Sequence, residues 1–94
     1  MNIKELQPNK SGSIEKATIT KKGDIRTFQK FGKEGKVCSC TINDESGSCT
    51  LSLWNEQVEM FQEGDQITIK DGWVKEWNNE IQISTGKNGI IEKI

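Results

Sequence analysis

Residues 36–57 read KVCSCTINDESGSCTLSLWNEQ. Apolar and polar residues alternate on both sides of a central turn, and this period of two is typical of strands with one buried face. The alternation predicts a strand over residues 36–43 and a second strand that ends near Trp54. Residues 44–47 form a tight turn between them. The side chains predicted to face the core are Cys38, Cys40, Ile42, Cys49, Leu51 and Leu53.

Upstream, alternation over residues 13–28 predicts a longer strand, with a bulge or sharp bend at residues 22–24. Residues 31–35 (FGKEG) are expected to form a flexible basic loop. Near the amino terminus, the apolar spacing of residues 3–6 fits one helical turn, which Pro8 stops. The first strand therefore leads through this loop into the second.

Downstream, residues 55–62 show the spacing of a short helix, with Asn55 as its expected N-cap. Residues 66–77 and 80–85 alternate again and predict a fourth and a fifth strand. Asn78 and Asn79 suit a two-residue hairpin turn between them, because Asn tolerates positive φ.

Five strands with one short helix between the third and the fourth is the element order of the OB-fold, an all-β, five-stranded Greek-key barrel. Residues 1–94 are expected to form one such domain, on their own or within a longer chain. An SH3-like barrel is the main alternative, but the helix-bearing link between strands three and four counts against it. Strands two and three form much of the ligand face of an OB-fold.

The composition excludes several classes of protein. No run of apolar residues exceeds two, whereas a membrane span needs about twenty and a signal peptide a core of at least seven. We therefore expect an intracellular protein, cytoplasmic or nucleoid-associated in a prokaryote and nuclear in a eukaryote. Three cysteines without a secretory signal indicate reduced thiols.

The sequence offers little for metal binding, cofactors or catalysis. A structural zinc site usually takes four Cys or His ligands, and the chain has three Cys and no His. Without His there is no neutral-pH base of the usual kind, and no phosphate-binding glycine loop or nucleophile elbow occurs. We expect a protein without enzymatic activity, cofactor or metal.

Charge is distributed unevenly along the chain. The net charge is −1, but residues 16–36 contain seven basic and two acidic residues, whereas residues 43–65 contain six acidic residues and no basic one. A cationic edge beside an anionic one can steer a polyanion into one groove, because each field is screened over about 10 Å. A lysine-rich hairpin exposed to solvent is the alternative explanation.

Three tryptophans, Trp54, Trp73 and Trp77, are assigned by the alternation to the face opposite the core. Exposed aromatic rings suit unpaired bases, since stacking is worth about 1–3 kcal/mol per base. The alternative is that Trp73 or Trp77 closes one end of the barrel. Phe28 and Phe31 could stack on bases or anchor the basic loop.

Five basic residues flank this aromatic face and are candidates for phosphate contacts. Among them the arginine can pair with phosphate through two hydrogen bonds or stack on a base. For each lysine, an unpaired side chain in solvent is the alternative. The five are Arg26, Lys22, Lys36, Lys75 and Lys87.

Six short pieces of the chain, in this order and spacing, resemble one family: the single-stranded-DNA-binding OB domains of replication protein A and the related archaeal and eukaryotic single-OB proteins. The resemblance implies base stacking at Trp54, Trp73 and Trp77, and backbone or base contacts at Arg26, Asn55 and Lys75. Thr18 and Ser84 depart from the arginine and the aromatic residue that some relatives carry. The six pieces are residues 3–8 (IKELQP), 25–28 (IRTF), 35–36 (GK) with 43–47 (NDESG), 53–57 (LWNEQ), 64–65 (GD) and 85–89 (TGKNG).

The residues and the resemblance together predict noncatalytic, largely sequence-independent binding of single-stranded DNA in replication, repair or recombination. Other replication protein A subunits or repair proteins are the implied protein partners. Two alternatives remain: an OB module that binds a protein on the same aromatic face, and an RNA- or tRNA-binding domain.

Overall fold

The computed structural model describes residues 2–86 and 89–94, with Trp77 described by its backbone alone. The described chain consists of a 3-10 helix, six strands and one short α-helix. The elements are the 3-10 helix Ile3–Glu5, β1 Lys10–Lys30, β2 Lys33–Asn43, β3 Ser48–Trp54, α1 Gln57–Met60, β4 Gln66–Trp77, β5 Glu80–Ser84 and β6 Ile90–Lys93.

The strands form one sheet that closes on itself. Their order is β1-β2-β3-β5-β4-β6, and β1 also pairs with β4, which completes the ring. The β3–β5 pair is parallel, and the other pairs are antiparallel. This arrangement confirms the predicted OB-fold barrel. The short strand β6, which pairs with β4, is an additional strand that the sequence pattern did not predict.

The core confirms the period-two assignments. All six side chains predicted to face inward from β2 and β3 are buried, with Ile42, Leu51 and Leu53 fully inaccessible to solvent. Burying one such aliphatic side chain contributes about 1.5–3 kcal/mol, so the alternation of residues 37–54 is fixed by the core. The opposite side chains of these strands, including Trp54, therefore point out of the barrel.

The β1–β2 connection differs from the prediction. Residues 31–35 were expected to form a loop, but the strands continue to the pair Lys30–Lys33 and turn through two residues, Phe31 and Gly32. Both turn residues have positive φ, 53° and 75°, as a type I′ hairpin turn requires. The register shift between Lys22 and Ile25 confirms the predicted bulge.

The helix prediction was too long at both ends. The helix α1 spans four residues and its N-cap is Glu56, so the assignment of Asn55 as N-cap is wrong. Asn55 instead has a φ of 54°, which places it in a turn between β3 and α1. The predicted turn at Asn78 and Asn79 is confirmed, with φ values of 51° and 64°. No helix in residues 2–86 and 89–94 is long and apolar enough to cross a membrane.

Candidate nucleic-acid interface

Trp54 and Phe28 form an aromatic pair on the outside of the barrel. Trp54 ends β3 opposite Val37 of β2, and Phe28 lies opposite Gly35 one strand further along the sheet. The two ring centroids are 5.9 Å apart with an interplanar angle of 78°, an edge-to-face contact. Trp54 remains 43% exposed and Phe28 36% exposed. The pair therefore presents aromatic surface to solvent at the end of β3.

A groove of about 600 Å³ begins at Trp54 and crosses the barrel surface toward β5. Its walls come from the end of β3, the turn before α1, β4 and the segment after β5. A groove that combines an aromatic wall, an ammonium group and hydroxyl groups can hold a base and a neighbouring phosphate. The residues that line it are Trp54, Asn55, Glu56, Gln57, Lys75, Ser84, Thr85 and Gly86.

Gln57 joins the two sides of this groove. Its side-chain oxygen accepts a hydrogen bond from the backbone N–H of Trp54 at 3.2 Å. Its amide nitrogen donates to the hydroxyl of Thr85 at 3.1 Å. Thr85 is 8% exposed, so Gln57 supplies a protein partner for a buried polar group. Gln57 is not among the site residues predicted from the sequence, although it lies within the family-like piece at residues 53–57.

Trp73 occupies another part of the outer face. It pairs with Ser84 across β4 and β5 and is 40% exposed. A Cβ at Gly86 would lie 3.2 Å from Trp73 Cβ, so the backbone after β5 passes close to this residue. The sequence predictions for the Trp77 side chain and for Lys87 lie outside the described residues.

Two of the predicted cations are free to meet a ligand. Arg26 is exposed on β1 opposite Val37, the same residue that pairs with Trp54 on the other side. Lys75 is exposed on β4 and lines the groove. Within residues 2–86 and 89–94, neither side chain forms a hydrogen bond or an ion pair.

Lys22 and Lys36 hold α1 against the barrel. Lys22 Nζ donates to the backbone carbonyl of Val58 at 2.6 Å, and Lys36 Nζ forms an ion pair with Glu59 at 3.0 Å. The hydrogen bond and the charge of Lys36 lower the pKa of the Glu59 carboxyl. These two ammonium groups therefore already have partners on the helix.

Asn55 is a further predicted contact, and its side chain has a structural partner. Its Oδ1 accepts a hydrogen bond from the Lys36 backbone N–H at 3.2 Å, and its own N–H donates to the Lys36 carbonyl at 2.8 Å. These two bonds fix the chain where it leaves β3, directly after Trp54. Asn55 also lines the groove, so it remains within reach of a ligand.

The three cysteines lie in the core, away from this face. Burial, with a smaller contribution from Cys38, raises the pKa of Cys40 to about 11. Burial, with a smaller contribution from the charge of Asp44, raises the pKa of Cys49 to about 12. Thiols in this state are poor nucleophiles and poor metal ligands. The described part of the chain contains no group of three or more His, Cys, Asp or Glu residues placed to hold a metal ion.

The fold agrees with solved structures of related domains. The second OB-fold domain of replication protein A from Methanococcus maripaludis superposes with a TM-score of 0.80 at 30% identity, covering all of this chain and 93% of that one. DNA binding domain A of Saccharomyces cerevisiae replication protein A gives a TM-score of 0.74 at 22% identity, covering all of this chain and 92% of that domain. At 22% identity, the similarity to this yeast domain supports the fold alone.

Curated relatives carry related names. The replication protein A 70 kDa DNA-binding subunit of Tetrahymena thermophila is 39% identical over 93 residues, which cover 94% of this chain and 13% of that subunit. The chain thus spans about one eighth of that relative's length. Residues 8–93 also match the family described as single-stranded DNA binding protein Ssb-like, OB fold. The chain therefore belongs to the Ssb-like OB-fold family of single-stranded DNA binding proteins.

Proposed function

We propose that this chain binds single-stranded DNA without catalysis and with little sequence preference. The observation that carries the proposal is the exposed Phe28–Trp54 pair at the mouth of a groove that also contains Lys75. Stacking on aromatic rings tolerates every base, because each base has a π-face. Family membership supports the same ligand.

In the proposed mode of binding, bases stack on Trp54 and Trp73, and the strand runs across the outer face of the sheet. Arg26 and Lys75 contact phosphates at either side of Trp54, since both are exposed and without protein partners among the described residues. Lys22 and Lys36 support the face indirectly by fixing α1. Trp77 and Lys87 extend the proposed contact set.

Counterion release gives this proposal a quantitative signature. Each phosphate neutralised on a single strand contributes about −0.7 to the slope of log K against log salt concentration. Contacts from Arg26 and Lys75 alone therefore predict a slope of about −1.4, and a further contact from Lys87 predicts a slope of about −2. An acidic protein that bound only through a hydrophobic surface would give a slope near zero.

The experiment is a titration of the protein with oligo-dT, oligo-rU and duplex DNA at several salt concentrations, followed by intrinsic tryptophan fluorescence. We expect oligo-dT to quench the fluorescence and to bind less tightly as salt increases, and duplex DNA to bind more weakly than oligo-dT. Equal or tighter binding of oligo-rU favours the RNA alternative. No response to any nucleic acid refutes the proposal.

The setting of this activity is also a proposal. A solved replication protein A heterotrimer bound to single-stranded DNA contains a chain that is 28% identical to this one, with a TM-score of 0.76, and the match covers 24% of that chain. We infer that the present domain works inside the cell within a larger replication protein A-type protein or assembly. An affinity-tagged copy expressed in its source cells should recover other OB-fold replication subunits, and recovery of none would contradict this inference.

A further inference from the structure

The tip of the β1–β2 hairpin carries an aromatic side chain that the fold does not use. Phe31 is 93% exposed, far more than Trp54 or Phe28. It therefore contributes almost no buried area to the core. Every residue from Asp24 to Glu34 is exposed, and this part of β1 pairs only with β2, so the hairpin projects from the barrel as a two-stranded ribbon.

The backbone at the tip makes the presence of Phe unusual. Among the described residues, six that are not glycine have positive φ, and five of them are Asn or Asp. Phe31, with φ of 53°, is the sixth. Asn followed by Gly is the preferred sequence of a type I′ turn, and a bulky residue in the left-handed region is strained. Phe at this position thus costs stability, and the described fold offers no compensating contact in its core.

The hairpin tip carries two lysines and continues the strand that carries Phe28. Lys30 Nζ lies 5.7 Å from the centroid of the Phe31 ring, and Lys33 is the cross-strand partner of Lys30. Phe28, three residues before Phe31 on the same strand, contacts Trp54. At about 3.3 Å per residue, the tip lies about 10 Å along the ribbon from that aromatic pair.

We propose that Phe31 stacks on the terminal base pair where a duplex adjoins the bound single strand. The inference rests on the proposed binding of single-stranded DNA. The end of a duplex offers a flat apolar face beside phosphates, which matches an exposed ring with an ammonium group, that of Lys30, near its face. A base pair is already ordered in its stack, so it loses less conformational freedom at an isolated ring than a single unpaired base does.

The test compares four labelled DNAs: oligo-dT alone, the same oligo-dT as a 5′ or a 3′ overhang on a DNA hairpin duplex, and the blunt hairpin. We expect one overhang polarity to bind roughly tenfold more tightly than oligo-dT alone, in line with the value of one stacking contact. We also expect a change in the fluorescence of 2-aminopurine placed in the terminal base pair of that junction, and no change when it is placed at the far end of the duplex.

The variant Phe31→Asn removes the ring and suits the turn, so its thermal midpoint should equal or exceed that of the wild type. It should lose the junction preference while keeping its affinity for oligo-dT, and Phe31→Trp should retain the preference. Met60→Gln, which removes another exposed apolar side chain, is the matched control and should behave as the wild type.

The outcomes separate this inference from the proposed function. Failure of the wild type to bind oligo-dT refutes the proposed function itself. Binding of oligo-dT without a junction preference, or a preference that survives in Phe31→Asn, overturns the stacking of Phe31 on the terminal base pair alone. An equal loss of affinity for oligo-dT and for the junction in Phe31→Asn also overturns it, because Phe31 would then be an ordinary contact to the single strand.

Discussion

The bridge made by Gln57 between Trp54 and Thr85 allows a prediction whose size follows from the structure. In Gln57→Leu, the Trp54 N–H can turn to water, because that hydrogen bond is exposed. The Thr85 hydroxyl, in a residue that is 8% exposed, has no such replacement. Leaving a buried polar group unpaired costs about 1–3 kcal/mol. We therefore expect Gln57→Leu to lower the free energy of unfolding by about 1–2 kcal/mol, or the midpoint by roughly 4–15 °C in a domain of this size.

The matching change, Thr85→Val, removes the hydroxyl at nearly constant shape. Gln57 is only half-buried and can then bond to water, so this variant should lose about 0.5–1 kcal/mol. The double variant should lose less than the sum of the two single losses, by about 1 kcal/mol, because it leaves no unpaired hydroxyl. Denaturant unfolding followed by circular dichroism gives all three values. Strict additivity, or an unchanged stability of Gln57→Leu, would refute the assignment of this bridge.

Three further predictions concern charge and the core. Arg26→Gln should make the slope of log K against log salt concentration for oligo-dT binding shallower by about 0.7. The control Lys4→Gln, on the 3-10 helix at the other end of β3, should leave this slope unchanged. Equal slopes for both variants would exclude Arg26 as a phosphate contact. Burial alone would raise the pKa of Asp44, but hydrogen bonds from Ser46 and from backbone N–H groups outweigh it and lower the pKa below its usual 3.8. The stability that the ionised Asp44 contributes is therefore present above its usual pKa and is lost as the pH falls through its lowered pKa in the folded protein. Between pH 5 and pH 2, the free energy of unfolding of Asp44→Asn, measured with denaturant, should therefore fall less than that of the wild type. Equal falls in the two proteins would contradict this. Cys49, whose pKa is raised to about 12, should react with a thiol reagent at neutral pH only as fast as the domain unfolds, and rapid labelling of the folded protein would show that its burial is wrong.

The barrel was predictable from the sequence because its strands bury one face each. The period of two fixes which side chains of β2 and β3 point inward, and it thereby places Trp54 outside without any knowledge of the partner strands. The Asn78-Asn79 turn was also predictable, since two residues that tolerate positive φ lie between two alternating segments. These features depend on neighbours in sequence.

Features that depend on distant contacts were not predictable. The pattern of residues 55–62 suggested a longer helix, but Phe61 is buried in the core with an extended backbone, and the helix ends at Met60. The tight turn at Phe31 lacks the usual Asn-Gly sequence, so nothing local distinguished it from a loop. The strand β6 is short and gains its place by pairing with β4.

In the candidate site, too, features set by neighbouring residues were predictable and features set by distant contacts were not. The alternation of the sequence predicted that Trp54 is exposed, but it could not predict which basic side chains already have a protein partner. Lys36 pairs with Glu59, which is 23 residues further along the chain, whereas Lys75 has no partner among the described residues. Gln57 acts through Thr85, 28 residues away. The exposure of Trp54 was therefore predictable from the sequence, whereas only the folded chain distinguishes the cations that have partners from those that have none among the described residues.

In the proposed complex, the exposed indole of Trp54 stacks on unpaired bases. The most direct measurement is the affinity of Trp54→Ala for fluorescently labelled oligo-dT, determined by anisotropy beside the wild type, with circular dichroism to confirm that both are folded. Binding by Trp54→Ala should be weaker by roughly fivefold to 150-fold, the equivalent of one stacking contact. A folded Trp54→Ala that binds oligo-dT as tightly as the wild type would contradict it.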